Sequence, residues 1–555
     1  MIQTGRSPIV LAICIPSMKE DLIVTTNEPE SVVIIGGGPA GLTAAWELVK
    51  DGSNAYDVTL LEESEEFGGI ARTVKHDGNR MDIGGHRFFS KDERIMDWWQ
   101  ETLPLQGAPS YDDKKLGRDT HDLEPGGPDP EIEDKVMLKR HRVSRIYWNK
   151  HFLDYPISLS LDTLKAMGPK ITMKAGFSYL KSMVHKLPED NLENFYINRF
   201  GRVLYSMFFE GYTEKLWGRH PSVISADWGS QRVKGLSISE VLKNAVQKLM
   251  PKKRDNSEVE TSLIEEFWYP KLGPGQLWET VKDNCEARGV KVKTGTKVVG
   301  VNRGADGRIA SVLVRHADGT QETLEADQFI SSMPVKDLVE AMDTEQQPVP
   351  SDMRHIAEGL PYRDFVTVGL LVKHLKLKNT TDIPTLGNPP IVPDCWIYVQ
   401  DPGYKVGRLQ IFNNWSPYLV KDVDDTVWIG LEYFCEEGDE FWNMSDEDAT
   451  KFAIHELTRM GVIAGPDDVL DSHRERVKKA YPAYFDTYEQ MPELVEYLDS
   501  FGNLYCVGRN GQHRYNNMDH SMATSMEAVD NIRTHKTSKN NVWSVNTDKS
   551  YHESK

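Results

Sequence analysis

The stretch SVVIIGGGPAGLTAAWEL, residues 31–48, constrains the fold more than any other part of this chain. Apolar β-forming residues run into three consecutive glycines and then into a helical pattern. This order predicts a buried parallel strand, a tight turn and a helix whose N-terminus faces a pyrophosphate. In such a pattern the first glycine permits the turn, the second admits the backbone close to the phosphates, and the third lets helix and strand pack together. The residues concerned are Gly36, Gly38, Pro39, Ala40 and Gly41.

An acidic residue stands at the place where this kind of site needs one. The predicted second strand, DVTLLEE at 57–63, contains Glu62, which lies 21 residues after Gly41. An acid in this position accepts hydrogen bonds from a ribose diol. A glycine-rich turn beside an unrelated surface acid is the alternative, but the order strand, turn, helix, strand, acid favours a dinucleotide site.

Composition excludes several classes of protein. A length of 555 residues suits two or three domains, or one large domain with insertions. The formal net charge of −19 argues against a nucleic-acid or anionic-membrane partner. Five cysteines without CxxC spacing indicate reduced thiols, and hence a cytoplasmic protein. We expect no membrane span, because no apolar run of about 18 residues occurs, and no metal site, because no cluster has ligand spacing.

The cofactor domain is predicted to be discontinuous, with pieces at 31–100, 265–335 and 503–533. Two inserts separate these pieces: a mainly helical one at 136–250 and a mixed α/β one at 345–475. We expect the inserts to form a substrate domain, with the site at the seam, where clefts usually occur.

Three further segments lie outside these pieces and inserts. Residues 1–30 are interpreted as a disordered or mis-assigned leader, with a weak signal core at PIVLAICIP (8–16) as the alternative, and residues 101–135 as an acidic, solvated loop without a site. Residues 534–555 are interpreted as a polar, loosely attached tail.

FGGIART at 67–73 and NRMDIGGHRFFS at 79–90 resemble stretches of the FAD-binding domain in the superfamily of amine oxidases, protoporphyrinogen oxidases and UDP-galactopyranose mutases. The resemblance implies FAD and an α/β fold: a Rossmann-type FAD-binding domain, as in glutathione-reductase-like two-domain flavoproteins, with an inserted helical and mixed α+β substrate domain. It also implies cofactor contacts from Gly68, Gly69, Arg72, Gly85 and, on the adenine side, Val298. An ordinary strand valine explains Val298 equally well.

Two segments are similar to UDP-galactopyranose mutases in particular. GYTEKLWGRHPSVISADWGSQRV (211–233) implies that Trp217 lines a sugar pocket and that Arg232 binds a nucleotide diphosphate. GLPYRDFVTVGL (359–370) implies a second diphosphate-binding arginine, Arg363. Paired guanidinium groups suit a diphosphate, because they bind it bidentately and stabilise charge that develops as it leaves. A packed Trp and surface-paired arginines are the alternative.

VGRNGQHRYNNMDHSMATSMEAV (507–529) carries the mutases' closing pattern, Gly-Arg-x-Gly-x-x-Arg-Tyr-x-x-Met-Asp. The resemblance implies that Arg509, Met518 and Asp519 contact the cofactor and that Tyr515 contacts the substrate. An Asx-type helix cap is the alternative. Tyr481 in AYPAY resembles a Tyr-Pro element of the active site, although a structural turn fits as well.

The chain also departs from the mutases. Their His-x-x-His near the flavin is His86-Arg87-Phe88-Phe89 here, and His513 replaces a tyrosine. His86 is a candidate catalytic residue, and Phe89 is a candidate substrate contact that covers the flavin ring. These differences leave the identity of the sugar open.

The resemblance implies an enzyme that interconverts the pyranose and furanose forms of a nucleotide sugar with reduced FAD, for which NAD(P)H is a candidate reductant. The alternative is an FAD-dependent oxidoreductase of the protoporphyrinogen oxidase or amine oxidase type, with His86, Phe88 and Phe89 lining an apolar pocket. A non-catalytic flavoprotein is the third hypothesis. The expected partner is a small-molecule substrate, and the oligomeric state stays open.

Overall fold

The structure is a computed structural model that describes residues 28–118, 123–155, 161–226, 228–229 and 266–546. Arg232 and most of the predicted leader lie outside the described residues. The described strands are β1 (Glu30–Ile35), β2 (Tyr56–Leu61), β3 (Thr73–His76), β4 (Asn79–Asp82), β5 (Met137–His141), β6 (Ser144–Trp148), β7 (His151–Asp154), β8 (Glu266–Pro270), β9 (Lys291–Lys293), β10 (Thr296–Arg303), β11 (Ile309–His316), β12 (Gln321–Glu325), β13 (Gln328–Ser331), β14 (Tyr362–Val372), β15 (Trp396–Val399), β16 (Arg408–Ile411), β17 (Val427–Cys435), β18 (Val469–Pro482) and β19 (Leu504–Cys506).

Helices cover these strands and the segments between them. The described α-helices are Pro39–Val49, Glu93–Thr102, Tyr111–Leu116, Leu161–Val184, Leu192–Tyr205, Gly211–Trp217, Pro274–Ala287, Val335–Met342, Ser351–Gly359, Glu440–Asn443, Asp446–Met460, Met491–Asp499, Gly508–Gly511, Met518–Arg533 and Asn540–Ser544. Within the described parts of the chain, no helix is both long and apolar enough to cross a membrane.

One of the two large sheets is parallel and has five strands in the order β19-β13-β1-β2-β9. The residues of β1 from Val32 to Ile35 are all buried, as expected for a parallel strand that is covered on both faces. The helix Pro39–Val49 leads from β1 towards β2. This α/β arrangement, with strands drawn from distant parts of the chain, confirms the predicted Rossmann-type fold.

The other large sheet has seven strands, is mostly antiparallel and has the order β18-β14-β17-β16-β15-β6-β7. Its central strands alternate between two apolar clusters: Val366 and Leu431 pack on one side, and Phe365 and Phe434 on the other. This alternation is the ordinary period of a strand with both faces covered. Strands β14 to β17 lie within the predicted second insert, whereas β6 and β7 come from the first and β18 runs past residue 475.

Three segments have a structure that differs from the one predicted from the sequence. Residues 137–154, expected within the helical insert, form β5 to β7, because distant strands pair with them. The acidic segment is not merely solvated: Asp112 is buried and forms an ion pair with Arg140 at 3.1 Å. The tail is packed as far as residue 546, since Val542 is buried and its carbonyl accepts a hydrogen bond from Gln512.

Candidate active site

A cavity of about 1240 Å³ extends from the carboxyl ends of β1 and β2 to the face of the seven-stranded sheet. Ligand sites of open α/β sheets lie at such strand ends. One end of the cavity is bordered by the glycine turn and Glu62, and the other by strands β16 to β18. We refer to these as the dinucleotide end and the substrate end.

Close backbone packing explains the glycines of the dinucleotide end. A Cβ on Gly41 would lie 1.8 Å from the carbonyl oxygen of Gly36, so the helix could not approach the strand. Gly36 has φ of +102°, a conformation that residues with a side chain rarely adopt. Gly38, Pro39 and Ala40 border the cavity, where the first turn of the helix offers backbone N–H groups to an anion.

Glu62 is held in place by the backbone around it. Its Oε2 accepts a hydrogen bond from the Gly37 amide at 2.7 Å, and its Oε1 accepts one from the Ser64 amide at 3.0 Å. A carboxylate has further lone pairs available, so it can also accept from ribose hydroxyl groups. Val298 borders the same end of the cavity, which is the position predicted for an adenine contact.

The middle of the cavity is bordered by Gly69, Arg72 and Gly85. Arg72 forms ion pairs with Glu66 at 2.8 Å and with Glu475 at 3.4 Å. Gly68 packs behind the cavity wall, and a Cβ on this residue would be 3.2 Å from the indole of Trp278. Gly68 therefore shapes the turn, while Gly69 borders the cavity.

His86 borders the cavity beyond Gly85. Burial, followed by the charge of Arg509, lowers the pKa of His86 to about 4, so the imidazole is neutral at pH 7. Among the described residues, no group forms a hydrogen bond with its buried Nδ1. A buried polar atom of this kind suits a position beside a bound group. Phe89 also borders the cavity, whereas Phe88 packs in the core against Trp99.

The segment 508–519 closes one side of the cavity. Arg509 donates hydrogen bonds to the carbonyls of Asn516 and Ala480 and stacks over the ring of Tyr515 at 4.4 Å. Met518 and Asp519 begin the helix Met518–Arg533, and both border the cavity. Asp519 Oδ2 accepts a hydrogen bond from Ser90 at 2.9 Å, which links this helix to the segment after His86.

Tyr481 and Tyr515 stand side by side at the substrate end, with ring centroids 5.6 Å apart and an angle of 23° between the rings. Burial raises the pKa of Tyr481, so its hydroxyl keeps its proton at neutral pH. That hydroxyl accepts a hydrogen bond from Arg408. Both tyrosines border the cavity, and their contact with a substrate stays a prediction.

Three polar residues of the substrate end were not predicted from the sequence: Arg408, Gln410 and Glu432. Arg408 pairs with Glu432 at 2.7 Å, and Gln410 donates to the same carboxylate at 2.8 Å. They alternate with apolar residues along β16 and β17, so they share the face that borders the cavity. Polar residues at every second position of an otherwise buried strand are the signal that could have identified them.

Trp217 and Arg363, which the family resemblance assigns to the substrate, are not part of the cavity wall. Trp217 is buried behind the tyrosines, with its ring centroid 6.4 Å from those of Tyr481 and Tyr515. Arg363 donates to the carbonyl of Leu216 at 3.0 Å and pairs with Glu436 at 2.9 Å. The end of the helix Gly211–Trp217 attracts this cation, because its last carbonyls carry partial negative charge. This placement corrects the role predicted for Arg363 as a ligand contact in the cavity.

The residues at the dinucleotide end fit FAD. Gly38 and Ala40 would hold the pyrophosphate, Glu62 the ribose, and Gly85 and His86 would border the flavin ring. The parallel sheet, the glycine turn and the long cavity thus define a Rossmann-type dinucleotide-binding protein of the flavoprotein class.

The flavin containing amine oxidoreductase family matches residues 39–508 of this chain, and the chain belongs to that family. Over 60 residues it is 37% identical to coproporphyrinogen III oxidase of Mycobacterium bovis, which covers 11% of this chain and 13% of that protein. Over 63 residues it is 41% identical to carotenoid 3,4-desaturase of Haloarcula japonica, which covers 11% of this chain and 12% of that protein. The matched stretches therefore span about an eighth of these curated relatives.

Similarity to solved structures extends over nearly the whole chain. The crystal structure of reduced UDP-galactopyranose mutase superposes with a TM-score of 0.70, at 20% identity, covering 92% of this chain and 97% of that one. Putrescine oxidase bound to putrescine superposes with a TM-score of 0.52, at 14% identity, covering 91% and 99%. At these identities the similarity establishes the shared fold.

Proposed function

We propose that this flavoenzyme binds a nucleotide sugar and interconverts its pyranose and furanose forms with reduced FAD. The observation that carries the proposal is the polar wall of Arg408, Gln410 and Glu432 at the substrate end. A buried carboxylate accepts hydrogen bonds from hydroxyl groups, and a guanidinium group donates to their oxygens. Such a wall offers a hydroxyl-rich ligand hydrogen-bonding partners that an apolar ligand could not use.

The aromatic residues complete this proposed sugar site. Tyr481 and Tyr515 present two nearly parallel rings, and the Arg509 guanidinium lies near both, 4.4 Å from the Tyr515 centroid and 5.7 Å from the Tyr481 centroid. Reduced FAD, when bound, supplies the nucleophilic chemistry of the reaction, with no net transfer of electrons. The chain's own residues orient the sugar, exclude water and keep His86 uncharged. Arg232, outside the described residues, stays a predicted contact to the diphosphate.

The fold shared with reduced UDP-galactopyranose mutase is consistent with this proposal. A cytoplasmic location, inferred from the five cysteines without CxxC spacing, belongs to the proposal, as does NAD(P)H as the candidate reductant.

The second candidate is an FAD-dependent oxidoreductase. It is favoured by the short matches to an oxidase and a desaturase. An oxidoreductase would remove hydride from a substrate held against His86 and Phe89 and would need an electron acceptor. The charged wall opposite then requires a polar substrate, which makes an apolar ring system or polyene a poor fit.

Ligand titration tests the proposal. The FAD-loaded enzyme is titrated with UDP and with a panel of UDP-sugars while the flavin absorption spectrum is recorded. We expect at least one UDP-sugar to shift the spectrum, and Glu432→Gln to weaken its binding about tenfold or more while leaving the binding of UDP unchanged. An enzyme that responds to no UDP-sugar, or whose Glu432→Gln variant binds the responding sugar as tightly as the wild type, would overturn the proposal.

A further inference from the structure

Three potential metal ligands meet on the surface where the β3–β4 hairpin lies beside the start of β18. One side-chain donor atom from each of His76, Asp77 and Asp471 lies within 4.8 Å of the other two. His76 Nε2 and Asp471 Oδ2 are 2.9 Å apart, although the two residues are separated by 395 positions in the chain. Such a separation explains why no metal cluster is predicted from the sequence, since ligand-spacing rules apply only to residues that are close in the chain.

Each donor is placed by a regular element. His76 ends β3, Asp77 stands in the turn before β4, and Asp471 lies in β18, opposite Leu371 of β14. Two rigid strands and a tight turn therefore bring the donors together, rather than long side chains on mobile loops. Their solvent exposure also suits an ion with bound water: His76 and Asp471 side chains are 24% and 35% exposed.

The surroundings support His76 as a ligand. The indole of Trp428 lies parallel to its ring, with centroids 6.3 Å apart and an angle of 11° between the planes. On another side, the His473 ring is centred 4.6 Å away, and its Nε2 contacts Glu475 at 2.7 Å. The neighbourhood therefore holds a second imidazole and a third carboxylate near the three donors.

We propose that His76, Asp77 and Asp471 bind a divalent transition-metal ion of the Zn²⁺ type. One imidazole nitrogen and two carboxylate oxygens form a donor set that Zn²⁺ accepts, at distances of about 2.0–2.2 Å. Donor atoms around such an ion lie roughly 3–4 Å apart, so the group needs to contract by only about 1 Å. Water or His473 completes the coordination.

The ion would connect the two walls of the active-site cavity. The hairpin continues through β4 to Gly85 and His86 on the cofactor side, and β18 continues to Tyr481 on the substrate side. A bond between the outer ends of these strands restricts their relative motion. The site is thus structural and lies outside the cavity, so the proposal does not depend on the proposed function.

The competing explanation is a His76–Asp471 ion pair without a metal ion. A Zn²⁺ titration distinguishes the two explanations. Chelator-treated, FAD-loaded wild-type enzyme is titrated with Zn²⁺ by calorimetry, and its thermal midpoint is measured with and without Zn²⁺. We expect one Zn²⁺ per chain and a higher midpoint, because ligand binding stabilises the folded state. His76→Ala and Asp471→Asn should each weaken binding at least tenfold and abolish the shift.

The matched control is His141→Ala. His141 forms a similar surface contact with Glu266 at 3.4 Å, but no third donor joins that pair among the described residues. This variant should bind Zn²⁺ as the wild type does. Co²⁺ should give d–d absorption beyond the flavin bands in the wild type and not in Asp471→Asn. Zn²⁺ binding that is absent from the wild type, or that is equal in wild type, His76→Ala and Asp471→Asn, would overturn the proposal.

Discussion

Arg408 and Glu432 lie directly opposite each other on the antiparallel strands β16 and β17, and their side chains form an ion pair of 2.7 Å at the substrate end of the cavity. The Glu432 side chain is only 1% exposed. Burial opposes the charge of Arg408, but the nearby Glu432 carboxylate outweighs this effect and raises the pKa of Arg408 well above its ordinary value. A buried pair beside a cavity is costly to keep without a ligand role, since apolar residues often stabilise such a position better.

Arg408→Met tests this pair. The change leaves the Glu432 carboxylate buried and unpaired, so we expect the free energy of unfolding to fall by roughly 3–5 kcal/mol, measured by urea denaturation. The affinity for the responding UDP-sugar should fall about tenfold or more, measured by flavin titration. The double variant Arg408→Met, Glu432→Met should recover the stability but not the affinity.

Arg363→Met is the control for that experiment. Because Arg363 contacts Leu216 and Glu436 and not the cavity, the variant should retain FAD and bind the sugar within about threefold of wild type, a change of under 1 kcal/mol. A larger loss for Arg363→Met than for Arg408→Met would favour the role that the family resemblance implied.

Gly41→Ala should abolish flavin binding. Its Cβ would lie 1.8 Å from the Gly36 carbonyl oxygen, which would push the helix away from the strand and open the phosphate turn. The purified variant should be colourless or insoluble, as judged by its absorption spectrum and yield. Gly176→Ala is the control, since a Cβ there meets nothing within 4 Å and the helix should gain about 1 kcal/mol. A yellow, stable Gly41→Ala protein would refute the proposed packing.

Much of the dinucleotide end could be predicted because it is local. The strand, the glycine turn, the helix and Glu62 follow each other within one short stretch, and each residue type has a backbone or hydrogen-bonding reason to stand there. The polar wall was missed because Arg408 and Glu432 meet only through strand pairing. Arg363 was misplaced because its position in the motif does not reveal that the Leu216 carbonyl satisfies its guanidinium group.

His513 should make stability depend on pH. Burial lowers its pKa to about 4, despite a contact between its Nε2 and the Ala483 carbonyl. Between pH 6.5 and pH 4 the unfolded chain binds a proton that the folded chain does not, so stability falls as the pH falls. The buried, neutral His513 should lower the free energy of unfolding by about 2 kcal/mol as the pH falls from 7 to 5.

The test compares the free energy of unfolding of wild type and His513→Gln at those two pH values. The loss of stability on acidification should be about 2 kcal/mol smaller in His513→Gln than in the wild type. The control variant is His141→Gln, because the His141 side chain is exposed, and its loss should equal that of the wild type. An unchanged pH dependence in His513→Gln would contradict the buried, neutral state of this imidazole.

The most direct test of the proposed function is anaerobic turnover. The FAD-loaded enzyme is reduced, oxygen is excluded, and UDP-galactopyranose and other UDP-hexopyranoses are incubated with it before chromatography of the products. We predict many turnovers to the furanose form of one of them, with no electron acceptor present and with loss of activity in Glu432→Gln. Failure to convert any of these sugars, together with acceptor-dependent oxidation of an amine or a porphyrinogen, would contradict the proposal.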